Sequence, residues 1–431
     1  MRPSYAKDAL LQQYAGLPVS ALRSPALLVD RKKVHRNCRE LLDAVQRAGL
    51  DARVHVKTHK TIEAALMQLG LDDKEKNGSA ISAIMVSTLA EARAFAVSGR
   101  FNDILYAVPL SPDKIQEVHQ LSQLVDKFHV FVDNDEIIDA LGRYAMAPMF
   151  RAFLKIDTGY GRAGVPASNA SAIKLATRLH NSSHIDFSGL YSHSGHSYSA
   201  PDIDAALAIV KHEVRETLAL AQLLRSLGVT APHVSVGATP SVKALLQVAG
   251  AAREAVMEAH FRLEVHLGNY VFLDVQQHAG MPWPLERCAA TVLSRVLSVY
   301  PEREEVLIDA GALALSKDGP GPRGTETFPG FGAVLLDNDN DNENKADNNE
   351  IGTPTSNNNA SSQRRLTVTR ISQEHGVIST RAAAAEEQKW RVGQTLRIVP
   401  NHACLAAANF EWYYVIEDGE VADVWVPCRG W

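Results

Sequence analysis

The octet Arg53-Val54-His55-Val56-Lys57-Thr58-His59-Lys60 sets lysines and histidines into a β-branched run. In an extended chain Ala52, Val54 and Val56 share one side, and Arg53, His55 and Lys57 the other. Three polar residues on one face are costly to bury without partners or a task. Thr58 is a suitable N-cap for the helix-like run Thr61 to Leu69. Lys57 is therefore expected at the carboxyl end of a strand just before a helix, where α/β folds gather their chemistry. A lysine there can form a Schiff base with an aldehyde cofactor or carbonyl substrate. Taken alone, it also reads as a strand-end lysine reaching water.

Four further strand ends carry polar groups. Lys155 and Asp157 share parity ahead of Thr158-Gly159-Tyr160-Gly161-Arg162, and Tyr191 shares parity with His193. Ser235-Val236-Gly237-Ala238-Thr239-Pro240-Ser241 puts glycine and hydroxyls where a strand turns into a helix, and Glu264, His266 and Gly268 precede Asn269. Such junctions suit a phosphate, because free backbone N–H groups and the helix dipole point there. One glycine at a strand end is ordinarily only a turn; four polar ends beside Lys57 are harder to read as loops.

A second constellation follows Val399-Pro400-Asn401. With extension continued past Pro400, His402 and Cys404 point the same way. Imidazole and thiolate together favour Zn²⁺, and two protein ligands leave positions open for substrate. Alone, the pair also reads as a satisfied histidine beside a buried cysteine. His375, in Glu374-His375-Gly376, is expected to play a supporting part.

The elements that must position these residues alternate. Short apolar strands are expected at Arg53–Lys57, Ala83–Ser87, Ile104–Val108, His129–Val132, Arg151–Asp157, Phe187–His193, His233–Gly237 and Leu263–Leu267, with helical segments between them. Eight strands alternating with helices predict an α/β fold, a (β/α)8 TIM-like barrel. No Gly-x-Gly-x-x-Gly follows the first strand, which disfavours a dinucleotide-binding open sheet. From about Val271 strand-like runs dominate, predicting a C-terminal, mostly antiparallel β domain. The expected boundaries are 24–270 for the barrel and 271–431 for the β domain, with 1–23 packing on the latter. Residues 337–363, rich in Asn and Asp with almost nothing apolar, read as a disordered surface insertion.

Composition bounds the function. The 431 residues are 46% hydrophobic and 22% charged, ordinary for a soluble globular chain with room for two cores. A net charge of -5 gives no reason to expect nucleic acid or an anionic membrane as partner. No apolar run approaches the roughly 18 residues of a membrane helix. The N-terminus lacks the apolar block of a secretory signal, and four dispersed cysteines suit a reduced, cytoplasmic protein.

As an ordered set these motifs resemble the fold-type III, alanine-racemase-like pyridoxal-phosphate enzymes, and more narrowly the D-serine dehydratase and D-threonine aldolase family. The resemblance runs from about Ser24 to Trp431, the insertion excepted. It implies that Lys57 carries pyridoxal 5'-phosphate as a Schiff base, that Gly237, Thr239, Gly268 and Asn269 line the phosphate, and that Arg162 lies near the phenolic oxygen. His193, with Tyr191 on its strand, is implied close to the cofactor ring, and His402 and Cys404 are implied to hold Zn²⁺. It further implies a homodimer, with the β domain packing on a partner's barrel mouth, acting on a small D-amino acid. The His-x-Cys form implies D-serine dehydration by α-proton abstraction and metal-assisted loss of the β-hydroxyl. Cleavage of D-threonine or 3-hydroxy-D-aspartate is the alternative, and a non-catalytic cofactor carrier is disfavoured by the β domain. Two departures stand out. His266 occupies a position where alanine racemases carry arginine against the pyridine nitrogen, and Leu405-Ala406 replaces the Pro-Thr that follows the metal cysteine in relatives.

Overall fold

The computed structural model describes residues 6–72, 83–144, 149–248, 250–251, 262–280, 284–321, 328–335, 366–381 and 389–431. The expected insertion at 337–363 lies outside the described residues. Two compact units divide the chain: His35–Val271 with Pro427–Trp431, and Pro3–Val34 with Phe272–Val426. No helix among the described residues is long and apolar enough to cross a membrane.

The first strand, β1 (Ala26–Asp30), pairs antiparallel with a later strand and parallel with another, both in the second unit. This differs from the expected boundary at residue 24. A short apolar run signals a strand but not which sheet will take it.

The first unit is a closed parallel barrel. Its strands are β2 (Asp51–His55), β3 (Ala83–Val86), β4 (Asp103–Pro109), β5 (Lys127–Val132), β6 (Phe150–Asp157), β8 (Ile185–Ser192), β9 (His233–Val236) and β10 (Arg262–Leu267). The pair β7 (Val165–Pro166) only extends the edge of β6. Closure comes from β10 pairing back to β2 and β5 pairing with β6. All eight expected barrel strands are present. β3 is buried at every residue, as a parallel strand covered on both faces requires. Inside, Met85, Leu105, Phe131, Phe153 and Tyr191 form one packed layer. Arg53, of the same parity as His55, ends among acids: Nε is 3.1 Å from Glu264 and Nη1 is 2.6 Å from Asp103. It is a satisfied structural cation, not a site residue.

The second unit is one nine-stranded mixed sheet. It comprises β1, β11 (Ala290–Tyr300), β12 (Glu305–Ile308), β13 (Gly332–Leu335), β14 (Val368–Ile371), β15 (Gly376–Ser379), β16 (Thr395–Pro400), β17 (Tyr413–Glu417) and β18 (Glu420–Trp425). Only β1 and β17 run parallel among these pairs. The helix Lys7–Tyr14 sets Leu10 into a cluster with Leu22, Leu28, Leu293 and Val424, so the N-terminal segment packs in this unit.

Candidate active site

Lys57, expected as the last residue of a strand, lies instead in the turn that follows it. β2 stops at His55, and Val56–Thr58 forms a 3-10 turn whose cap is the His55 side chain, Nδ1 accepting from the Lys57 N–H at 3.4 Å. Thr61, not Thr58, precedes the next helix, Ile62–Leu69. Period two therefore does not orient Lys57; the turn does. His55 is fixed on its other nitrogen, with Nε2 3.4 Å from Ser87 Oγ. Burial, then the charge of Lys57, holds its pKa well below the ordinary imidazole value. His59 is a structural residue, buried between Thr61 and Gln68.

His193 lies just past the end of β8. Burial, then the charges of Lys155, Lys57 and Arg162, pushes its pKa well down, so the ring is uncharged. Its Nδ1 donates to the Gly237 carbonyl at 2.8 Å, because that carbonyl can only accept. The tautomer is thereby set and Nε2 keeps its lone pair. The ring lies 5.8 Å from that of His266 at 28°. His266 stacks on Tyr191 at 4.1 Å, and its Nδ1 lies 3.0 Å from Ser235 Oγ. Its buried Nε2 has no hydrogen-bond partner among the described residues. Tyr191 belongs to the interior layer, its hydroxyl donating to Met85 Sδ at 3.4 Å. Lys155 Nζ lies 4.7 Å from the centre of that ring, and burial drops its pKa to about 7. Arg162 is exposed, its guanidinium 4.9 Å from the Tyr160 ring.

Gly237, Thr239, Gly268 and Asn269 come together beside this cluster. The helix Thr239–Gln247 opens directly after β9, with Pro240 in its first turn. Thr239 Oγ1 accepts the Gly268 N–H at 3.2 Å, tying the two glycine turns to each other. Gly237 has φ +125°, and a Cβ there would meet Val242 Cγ2 at 2.4 Å. At Gly268 a Cβ would come within 3.0 Å of His55. The helix N-terminus that opens at Thr239, beside these two tight turns, is an arrangement that suits an anion.

In the second unit His402 caps the short helix Ala403–Ala407. The chain past Pro400 thus turns helical, contrary to the expected extension. Cys404 is nevertheless brought to the ring by the helical turn. Burial works against charge on His402, but Cys404 within hydrogen-bonding reach, then Asp274 and Asp318, raises its pKa to about 10. Asp318 Oδ2 lies 2.7 Å from His402 Nδ1. A carboxylate on one imidazole nitrogen directs the other at a metal. Among the described residues no group of three or more His, Cys, Asp and Glu side chains could hold a metal ion; the pair offers two donors. His375 is exposed in the turn between β14 and β15.

Sequence reasoning missed Asp318, which stands 84 residues from its partner, and the buried Glu213. No spacing signal joins Asp318 to His402. Glu213 could have been noticed as the one acid on an apolar helical stripe.

Residues 29–253 match the family model described as "Alanine racemase, N-terminal domain", and 289–416 match the "Putative serine dehydratase domain". The chain is 32% identical to a D-serine dehydratase of Schizosaccharomyces pombe, over 99% of this chain and 96% of the relative. It is 33% identical to one of Dictyostelium discoideum, over 96% and 98%. The solved D-threo-3-hydroxyaspartate dehydratase of Delftia sp. HT23 superposes with a TM-score of 0.77 at 26% identity, covering 96% of this chain and 100% of that one.

Proposed function

The chain belongs to the D-serine dehydratase family of alanine-racemase-like enzymes, and on that premise we propose that it is a pyridoxal-phosphate- and zinc-dependent lyase converting D-serine to pyruvate and ammonia. The observation that carries the reading is the pair of glycine turns tied together at a helix N-terminus, Gly268 N–H to Thr239 Oγ1 at 3.2 Å, with His193 Nδ1 held on the Gly237 carbonyl at 2.8 Å. Those residues fit an anionic aldehyde cofactor: a lysine amine, a helix N-terminus flanked by two tight glycine turns and, among the described residues, a buried His266 Nε2 without a hydrogen-bond partner.

Pyridoxal phosphate, when bound, supplies an electron sink for charge developing at the substrate's α-carbon. Lys57 Nζ is the amine that would hold the aldehyde and the base for the α-proton. The Gly237–Ser241 and Gly268–Asn269 turns would bind the phosphate. Lys155 and Arg162 favour anionic groups in the cleft. His193, its Nδ1 proton committed to Gly237, presents Nε2 as an acceptor and orients what lies against the ring. His266 is held neutral by burial first, so it offers a polar nitrogen without charge.

His402 and Cys404 would hold Zn²⁺, which supplies Lewis acidity toward a departing β-hydroxyl. Asp318 keeps the imidazole turned. The active form is read as a cytoplasmic homodimer; that none of the four cysteines is in a disulfide supports a reducing compartment. Cleavage of D-threonine is tested in the same assay. Purified protein with pyridoxal phosphate and Zn²⁺ is given D-serine, D-threonine and D-threo-3-hydroxyaspartate. Pyruvate and ammonia from D-serine support dehydration, whereas glycine and acetaldehyde from D-threonine as the dominant products support the aldolase reading.

A further inference from the structure

Lys60 has a left-handed backbone, φ +57°, and among the described residues it is the one non-glycine residue of the barrel unit with a positive φ. Such a conformation is uncommon for a residue with a side chain and persists where its surroundings over-determine it. Three contacts do so here. The Lys60 N–H donates to the Val56 carbonyl at 2.8 Å, and the same carbonyl takes the His59 N–H at 3.3 Å. The Lys60 ammonium pairs with the buried Glu91. The Lys60 carbonyl accepts the Cys428 N–H at 2.7 Å. Lys57 lies inside the loop that the Lys60–Val56 bond closes, so what fixes Lys60 also fixes the turn that presents the Lys57 amine.

The third contact comes from far along the chain. β18 belongs to the nine-stranded sheet, yet Pro427–Trp431, just beyond it, groups with the barrel. Pro427 is buried and Cys428 half-buried. At Gly430, φ +112°, a Cβ would lie 3.4 Å from Ala90 Cβ, so the bare backbone passes close to the first turn of the helix Leu89–Val97. The segment therefore runs from Lys60, just before the helix that follows β2, to Ala90, in the helix that follows β3. Burial, then the charges of Glu91 and Glu63 in the first turns of those two helices, pushes the Cys428 thiol up to about 11, in keeping with that course.

We propose that residues 428–431 are a positioning strap for Lys57: the Cys428 N–H, on the Lys60 carbonyl, holds the left-handed residue that closes the Lys57 turn. The inference rests on the pyridoxal-phosphate reading above. The donor is backbone, so any residue except proline serves at 428.

The test compares Cys428→Ala, which keeps the N–H, with Cys428→Pro, which removes it. Pyridoxal-phosphate affinity is read from the visible absorbance, and hydrogen exchange of the His59 and Lys60 amides from the cofactor-free protein. Cys428→Pro is expected to speed that exchange about tenfold and to weaken cofactor binding by a similar factor, the worth of one hydrogen bond, because binding must then order the turn. Cys428→Ala is expected to stay within about twofold of wild type in both. Should the proline variant not fold, a chain ending at Pro427 is expected to show the same two losses; a shortened chain that also fails to fold would make the segment structural and overturn the inference. Unchanged exchange or unchanged affinity without the donor overturns it too, and so does a loss that Cys428→Ala shares. A wild-type chain that binds no pyridoxal phosphate overturns the reading beneath it, while exchange at His59 and Lys60 still reports on the strap itself, which separates the two failures.

Discussion

Lys60 Nζ lies 2.9 Å from Glu91 Oε1, and the Glu91 side chain is 1% exposed. Glu91 also accepts from the Ser87 N–H at 3.1 Å and from Thr88 Oγ1 at 3.2 Å. Lys57, three residues earlier, makes no side-chain ion pair or hydrogen bond among the described residues and bears electrostatically on both His55 and His193. The two lysines of the octet therefore have different work. Lys57→Ala is expected to abolish the visible absorbance of the cofactor-loaded protein. Lys60→Ala is expected to keep it while losing about 2 kcal/mol of stability, since a buried acid is left without its cation. Absorbance spectra and melting curves of both variants decide; colour lost only with Lys60 would reverse the assignment.

Arg53 is the clearest electrostatic element of the barrel, with Asp103 and Glu264 both in contact. Burial alone would raise the Asp103 pKa, but the Arg53 guanidinium outweighs it and holds the carboxyl far below the usual range. A carboxyl depressed in the folded state stabilises above its unfolded value near 4, and that contribution is lost as pH falls below it. Arg53→Met is expected to cost about 3–5 kcal/mol at neutral pH by taking the guanidinium from Glu264 and leaving Asp103 with only His129 and Lys127 nearby among the described residues. Its residual stability should rise on acidification from pH 7 to 5, because an unpaired buried carboxyl is relieved by protonation. Denaturant titrations at both pH values check the sign, and a variant destabilised equally at both would contradict it.

How much could be read from the chain itself follows from where its signals are local. The eight barrel strands each carry a buried apolar run next to a helical period, and each was legible. So was the polar rim, because Lys57, His193, Gly237 and Gly268 all fall at strand ends. What escaped was set by tertiary contact. The first four residues of β1 are apolar, and only pairing with Leu293 and Tyr414 decides their sheet. His402 and Cys404 were legible as a pair, but not the helical turn that joins them, because Pro400 ends β16 at a point where extension and helix start look alike.

The described strands on either side of the Asn/Asp-rich stretch are already joined. Ala333 bridges Thr367, and the Val334 N–H donates to the Leu366 carbonyl at 2.9 Å. Closing that gap with a short link keeps the pairing intact, and loop closure entropy changes slowly with length. Deleting Asn338 to Ser362 is expected to leave turnover within about twofold and Tm within about 2 °C, given how little such a composition can bury. Calorimetry and a turnover assay on the shortened chain check this; loss of either would show the segment to be structural.

At the second constellation the Asp318 carboxylate on His402 Nδ1 predicts a graded result. Asp318→Asn is expected to weaken Zn²⁺ about tenfold or more in a chelator competition. Cys404→Asp hardens the donor pair, so Zn²⁺ should weaken relative to Mn²⁺. Elemental analysis with competition titrations reads both. Zinc held equally by wild type and both variants would make the pair structural.

The most direct test of the central claim is the stoichiometry of products from D-serine, measured on one preparation before chelation, after it, and after Zn²⁺ is restored. The expected result is pyruvate and ammonia in equal amounts, lost on chelation with the cofactor absorbance largely intact, and regained with Zn²⁺. Cofactor-loaded, zinc-replete protein that forms no pyruvate from D-serine would contradict the assigned reaction, and full turnover after chelation would contradict the metal's part in it.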